Sequence, residues 1–175
     1  MIVLGLNAYH ADSSAAIFVN GELLAATEEE RFRRVKHWAG FPSEAIKFCL
    51  KEANCTLADV TAITIGRDPS AKRDRKARFV LKHPRAAWSM WSQRSANKDD
   101  IEKLHERFTE VEPGVDVEMV RAKIQFIEHH RAHLASAFFS SPFEEAAVLS
   151  IDGSGDFTTT MLARGNGTEI EVLQS

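Results

Sequence analysis

The chain opens with three short runs of mostly apolar residues separated by polar breaks, Ile2 to Leu6, Ser14 to Val19 and Glu22 to Thr27. Asn20-Gly21, between the second and third runs, tolerates the positive φ angles of a two-residue type I′ hairpin turn. A polar loop, residues 8–13, joins the first two. The pattern predicts a three-stranded antiparallel meander. A charged stretch, Glu28 to His37, follows, and then Gly40-Phe41-Pro42-Ser43. Ser43 is suited to cap a helix whose Ile46, Cys49, Leu50 and Ala53 recur on one face. Thr61 to Gly66 is short and β-branched and reads as the next strand. The order β-β-β-α-β indicates an α/β domain.

The pattern weakens over residues 67–121. Between Arg67 and Arg94 there are nine Lys/Arg against two Asp/Glu, with Trp88 and Trp91 among them. Residues 98–110 read as a charged surface helix that Pro113-Gly114 breaks. The stretch is expected to be a mostly helical insertion. The core pattern then resumes, with a strand over Ile124 to Ile127, a helix over His130 to Phe139 ended by Pro142, and a strand over Ala146 to Ile151. Asp152-Gly153-Ser154-Gly155-Asp156 reads as a loop, and strands over Phe157 to Ala163 and Glu169 to Leu173 turn near Gly165-Asn166-Gly167. Two meanders of one kind suggest a duplicated fold. Its first lobe would be residues 1–145 and the start of its second lobe residues 146–175. That second copy stops after three strands, as in a chain cut off inside its second half.

Composition narrows the function classes. At 44% hydrophobic and 27% charged, the 175 residues can bury a real core, which excludes wholesale disorder. A net charge of -3 excludes a polycation. No apolar run approaches the roughly 20 residues of a membrane span, so no membrane partner is expected. The start lacks the basic and long apolar regions of a secretion signal. Cys49 and Cys55 make neither a disulfide scaffold nor a zinc knuckle, which suits reduced thiols in a cytoplasmic protein. The basic tract with its two Trp has two readings, a nucleic-acid or anionic surface and a helical insertion that packs its Trp; the second is favoured.

Three places carry candidate chemistry. In Glu128-His129-His130-Arg131-Ala132-His133, helical spacing puts His129 and His133 on one face, and His130 and His133 are also close enough to share a metal. Two imidazoles supply part of a zinc or iron(II) site that a carboxylate would complete; the alternative is a polar, satisfied helix start. In 152–156, Gly153 and Gly155 would let backbone amides approach a phosphate, and Asp152 and Asp156 could hold a metal or orient water. A plain hairpin turn is the alternative there. His10, Asp12 and Ser13 occupy the matching loop of the first meander, and two such loops facing one cleft is what a duplicated nucleotide-binding fold would build.

The run LGLNAYHADSSAAIFVNGELLAATEEERFRRVKH, then GFP, then HHRAHLASAFFSSPF, then LSIDGSGD resembles the O-carbamoyltransferases of nodulation-factor and antibiotic biosynthesis. Four motifs in the same order cover nearly the whole chain, with residues 67–121 the least diagnostic. The resemblance implies the duplicated actin/sugar-kinase-like (ribonuclease H-like) ATPase fold, here its first lobe and the first meander of the second. It also implies transfer of a carbamoyl group from carbamoyl phosphate, through carbamoyl adenylate made with ATP in a separate C-terminal domain, to a hydroxyl of a small molecule. On the family's motifs, an iron-like divalent ion falls to His129, His133 and Asp152, and contact with the carbamoyl or phosphate group falls to His10 and Lys36. A further Asp ligand would lie beyond residue 175, and residues 1–175 alone are expected to be inactive. Asn7 departs from the phosphate-loop Asp of kinases and actin, which argues for the transferase branch. The competing reading is a kinase-like or tRNA-modifying nucleotide-binding module of the same fold.

Overall fold

The computed structural model describes residues 1–82, 101 and 103–175. Trp88, Trp91 and Arg94, and the start of the helix expected over 98–110, lie outside the described residues. The chain divides into two compact units, residues 1–65 with 90–125, and residues 66–89 with 126–175.

The first unit is built on a mixed sheet. Strands β1 (Ile2–Asn7), β2 (Ser14–Val19) and β3 (Glu22–Glu28) pair antiparallel in the expected meander. Asn20 and Gly21 have φ of 53° and 91°, the left-handed pair that a type I′ turn needs. Strand β4 (Ala62–Ile65) runs parallel to β1, and β5 (Ile124–Phe126) completes the order β3-β2-β1-β4-β5. A short helix, α1 (Glu30–Arg33), leaves β3, and α2 (Ser43–Glu52) packs on β2 and β3. Alternation along the strands sends Leu4, Leu6, Ala15, Ile17, Ile63 and Ile65 inward against Ile46, Cys49 and Leu50 of α2 and against Phe41.

Two local expectations change. Ser43 is the first helical residue rather than a cap, and its hydroxyl accepts a hydrogen bond from Arg33 instead. The capping is done by Glu29, whose carboxylate is fully buried and accepts the Ala45 amide at 2.8 Å and the Glu44 amide at 3.3 Å. Arg33 Nε pairs with that carboxylate at 2.6 Å, and its guanidinium lies 4.6 Å from the centre of the Trp38 ring. The charged stretch 28–37 therefore contains an anchor inside the fold. Within 103–110 the structure has a 3₁₀ helix, Leu104–Glu110, whose Leu104 and Phe108 are buried, so these residues are not a solvated surface helix.

The second unit contains helix α3 (Arg73–Lys82), helix α5 (His129–Phe139) and a three-stranded antiparallel sheet, β6 (Glu145–Gly155), β7 (Thr158–Asn166) and β8 (Glu169–Gln174); helix α4 (Val117–Lys123) belongs to the first unit. Leu134 and Phe138 of α5 pack on Val148, Met161 and Ala163. Residues 152–155 are not a loop. They continue β6 through a register shift between Ile151 and Gly155, and only Asp156 and Phe157, with φ of 47° and 63°, make the turn. Among the described residues no helix is long and apolar enough to cross a membrane.

Candidate functional site

Helix α5 presents its three histidines in different ways, and the helix phase decides which. His130 points into the core and has no exposure. Its Nε2 lies 3.0 Å from the Thr158 carbonyl, which only accepts, so Nε2 carries the proton; Nδ1 then accepts from the Ser150 hydroxyl at 2.7 Å. Both nitrogens are occupied. His129 and His133, four residues apart, share the other face, with their Nε2 atoms 3.0 Å apart.

Asp152, brought back by the irregular end of β6, faces both. Its Oδ2 lies 2.7 Å from His129 Nε2 and 3.8 Å from His133 Nε2. One ligand atom from each of the three residues lies within 4.8 Å of the others. The His129 Nδ1 faces the Gly66 carbonyl at 3.3 Å, which places the proton on Nδ1 and turns the Nε2 lone pair toward Asp152 and His133. Lone pairs from two imidazoles and a carboxylate thus converge on one point, the donor set of a divalent transition-metal site. Electrostatics lean the same way. Burial, and then His129, lower the pKa of His133 and favour its neutral, ligating form. The His129 imidazole beside it, and then a hydrogen bond from the Gly153 amide, hold the Asp152 carboxyl below its ordinary range.

The neighbouring residues of β6 have structural tasks. Asp156 Oδ2 accepts the backbone N–H of His129 at 3.0 Å and of Asp68 at 2.9 Å, which fastens the start of α5 to the segment after β4. Glu128 adds a second cap by accepting the Arg131 amide at 2.9 Å. Gly155 makes room for the His129 ring: a Cβ there would lie 1.9 Å from His129 Cδ2. Gly153 faces open space.

In the first unit, His10 is exposed on the loop between β1 and β2, and Lys36 is exposed on the segment after α1. These two stretches are sewn together by their backbones. The Ser13 amide donates to the Trp38 carbonyl at 2.9 Å and the Tyr9 amide to the Gly40 carbonyl at 3.3 Å. Ser13 is buried, with its hydroxyl 2.8 Å from the Gly40 carbonyl, so its side chain holds the loop. Asn7 Nδ2 donates to the Ala11 and Asp12 carbonyls at 3.1 and 3.0 Å, bonds that an Asp at this position has no hydrogen to make. Asp12 Oδ1 lies 2.8 Å from His37 Nδ1, a contact the sequence reading did not foresee.

An α/β chain with a two-histidine, one-carboxylate cluster defines a class broader than any one family. The family model described as carbamoyltransferase N-terminus matches residues 2–174, and the chain belongs to that family. It is 38% identical to protein sll1178 of Synechocystis sp. over 96% of this chain and 28% of that protein. It is 32% identical to nodulation protein NolNO of Sinorhizobium fredii over 95% of this chain and 23% of that protein. The chain thus spans about a quarter of the length of these curated relatives. A solved structure, YeaZ from Pseudomonas aeruginosa, superposes with a TM-score of 0.47 at 18% identity, over 99% of this chain and 64% of that one. A likeness of that degree assigns nothing to this chain.

Proposed function

We propose that residues 1–175 supply the carbamoyl-transfer part of an ATP-dependent O-carbamoyltransferase of the actin-like ATPase fold, which moves the carbamoyl group of carbamoyl phosphate, through carbamoyl adenylate, to a hydroxyl of a small molecule. The observation that carries the reading is the convergence of His129, His133 and Asp152 in a chain of the carbamoyltransferase N-terminus family. These three residues would hold a divalent metal such as iron(II), which when bound supplies a cation beside phosphate and acceptor oxygens.

The chain's own groups account for the rest. Attack of a hydroxyl on the carbamoyl carbon develops negative charge on the carbamoyl oxygen. Lys36 brings a positive charge to the segment that is hydrogen-bonded to the His10 loop, and it acts as an electrostatic clamp on phosphate. His10 would donate to the carbamoyl oxygen. The backbone bonds from Ser13 and Tyr9 tie the His10 loop to residues 38 and 40, and His10 and Lys36 would act on one donor.

The test uses the full-length protein with ATP, iron(II) and radiolabelled carbamoyl phosphate, offered a panel of sugar and polyketide alcohols. ATP-dependent labelling of a hydroxyl, lost in His129→Ala and His133→Ala, is expected. Consumption of ATP with no label reaching any hydroxyl would refute the reading in favour of a kinase-like or tRNA-modifying module.

A further inference from the structure

The Asp12–His37 contact is not used by the reading above, and it has the build of an acid–base pair. A carboxylate oxygen only accepts, so the 2.8 Å contact from Asp12 Oδ1 puts a proton on His37 Nδ1 and leaves the Nε2 lone pair free. The His37 ring is exposed, with 76% of its side chain accessible, so Nε2 can meet a substrate. The backbone is fixed as well: the His37 amide donates to Glu30 Oε2 at 3.2 Å. Asp12 and His37 both sit at left-handed φ, 62° and 55°. Asp12 lies two residues after His10, and His37 directly follows Lys36.

We infer that Asp12 and His37 form the catalytic dyad that deprotonates the acceptor hydroxyl, with His37 Nε2 as general base and Asp12 as the residue that fixes its tautomer and orientation. This deepens the carbamoyl-transfer reading and rests on it. The His37 Nε2 lone pair takes the proton of the acceptor O–H as that oxygen's electron pair forms a C–O bond to the carbamoyl carbon. The bond from that carbon to the phosphate oxygen of carbamoyl adenylate, a mixed anhydride, then breaks, and its electron pair leaves with AMP. The proton on Nε2 afterwards passes to water. His10 is thereby left to donate to the carbamoyl oxygen. The groups acting on the imidazole are Asp12 first, through its hydrogen bond, and then Glu30 and Glu28, and together they raise the pKa of His37 above its ordinary value.

The decisive experiment follows transfer by the full-length protein to whichever alcohol of the panel is labelled, across pH 5 to 9. Wild type is expected to show an acid limb with its midpoint above the ordinary histidine value of about 6.5. His37→Gly suits the positive φ and keeps the fold. It should lower transfer by about 10²–10⁴-fold, abolish the limb and be partly restored by added imidazole. Asp12→Asn should lower the rate and move the limb to lower pH, because the imidazole loses its carboxylate. A purely structural pair would lower thermal stability and leave the limb in place. Transfer undiminished in His37→Gly, or a limb that vanishes in His10→Gln and persists in His37→Gly, overturns the dyad while the carbamoyltransferase reading stands. No transfer by wild type removes both.

Discussion

Gly155→Ala is the sharpest probe of the proposed metal centre, because the clash it creates falls on one of its three proposed ligands. A Cβ at position 155 would sit 1.9 Å from His129 Cδ2 and 2.4 Å from Cγ. Ordinary carbon contact begins near 3.5 Å, so the ring must retreat by roughly 1.5 Å. The ring has no slack for that retreat, since its nitrogens are held at 3.3 Å to the Gly66 carbonyl and 2.7 Å to Asp152. One of these contacts or both must go. Overpacking of this kind costs about 1–3 kcal/mol, and displacing a ligand is expected to weaken metal affinity by at least the roughly 10–100-fold seen when a group that orients a ligand is lost. The assay pairs urea denaturation of the metal-free protein with chelator competition for iron(II) or zinc. Gly153→Ala is the matched control, because nothing lies within 4 Å of the Cβ it would add. Unchanged stability and affinity in Gly155→Ala would refute the placement of His129 against β6.

Other expectations follow from burial. His130→Ala leaves the Ser150 hydroxyl and the Thr158 carbonyl without their partner, at about 1–3 kcal/mol for each unsatisfied group; urea melts should record the loss while the folded variant keeps its metal affinity. Glu29→Ala strips two amides of the α2 start and leaves Arg33 without its carboxylate, so a loss of about 3–5 kcal/mol is expected by the same measurement. Burial pushes the Cys49 thiol up to about 11, so at pH 8 a thiol reagent should modify Cys55, which is partly exposed, far faster than Cys49.

The first meander was legible because its signals are local: apolar runs that fit strand lengths, and an Asn-Gly pair that allows one turn. Strand β2 begins and ends where the pattern places it. The end of β6 was not legible, because Asp and Gly residues read as turn formers and nothing in their order reveals a register shift. Helical spacing alone put His129 and His133 on one face, yet it left His130 as a possible partner; only the positions of Ser150 and Thr158 tie up that ring. Glu29 was hidden in a run of three glutamates, where sequence gives no reason for one to turn inward and the others outward. The Asp12–His37 pair was invisible for a different reason. Its partners are 25 residues apart and meet through the fold of two loops.

The carboxylate of Asp156 reaches the backbone of Asp68, 88 residues earlier in the chain, and the His129 ring reaches the Gly66 carbonyl across 63 residues. Closing loops of that length is an entropic cost met before any contact rewards it, and it grows by about 0.6 kcal/mol with each doubling of length. The hairpins of β1–β2 and β6–β7 have no such delay. Assembly order is thereby expected to follow the sequence separation of these contacts: strand pairing comes early, and the bonds that tie His129 and Asp156 to residues 66 and 68 form late, when distant segments have docked. Docking of residues 66–68 onto the start of α5 would then mark the last step of folding in this unit.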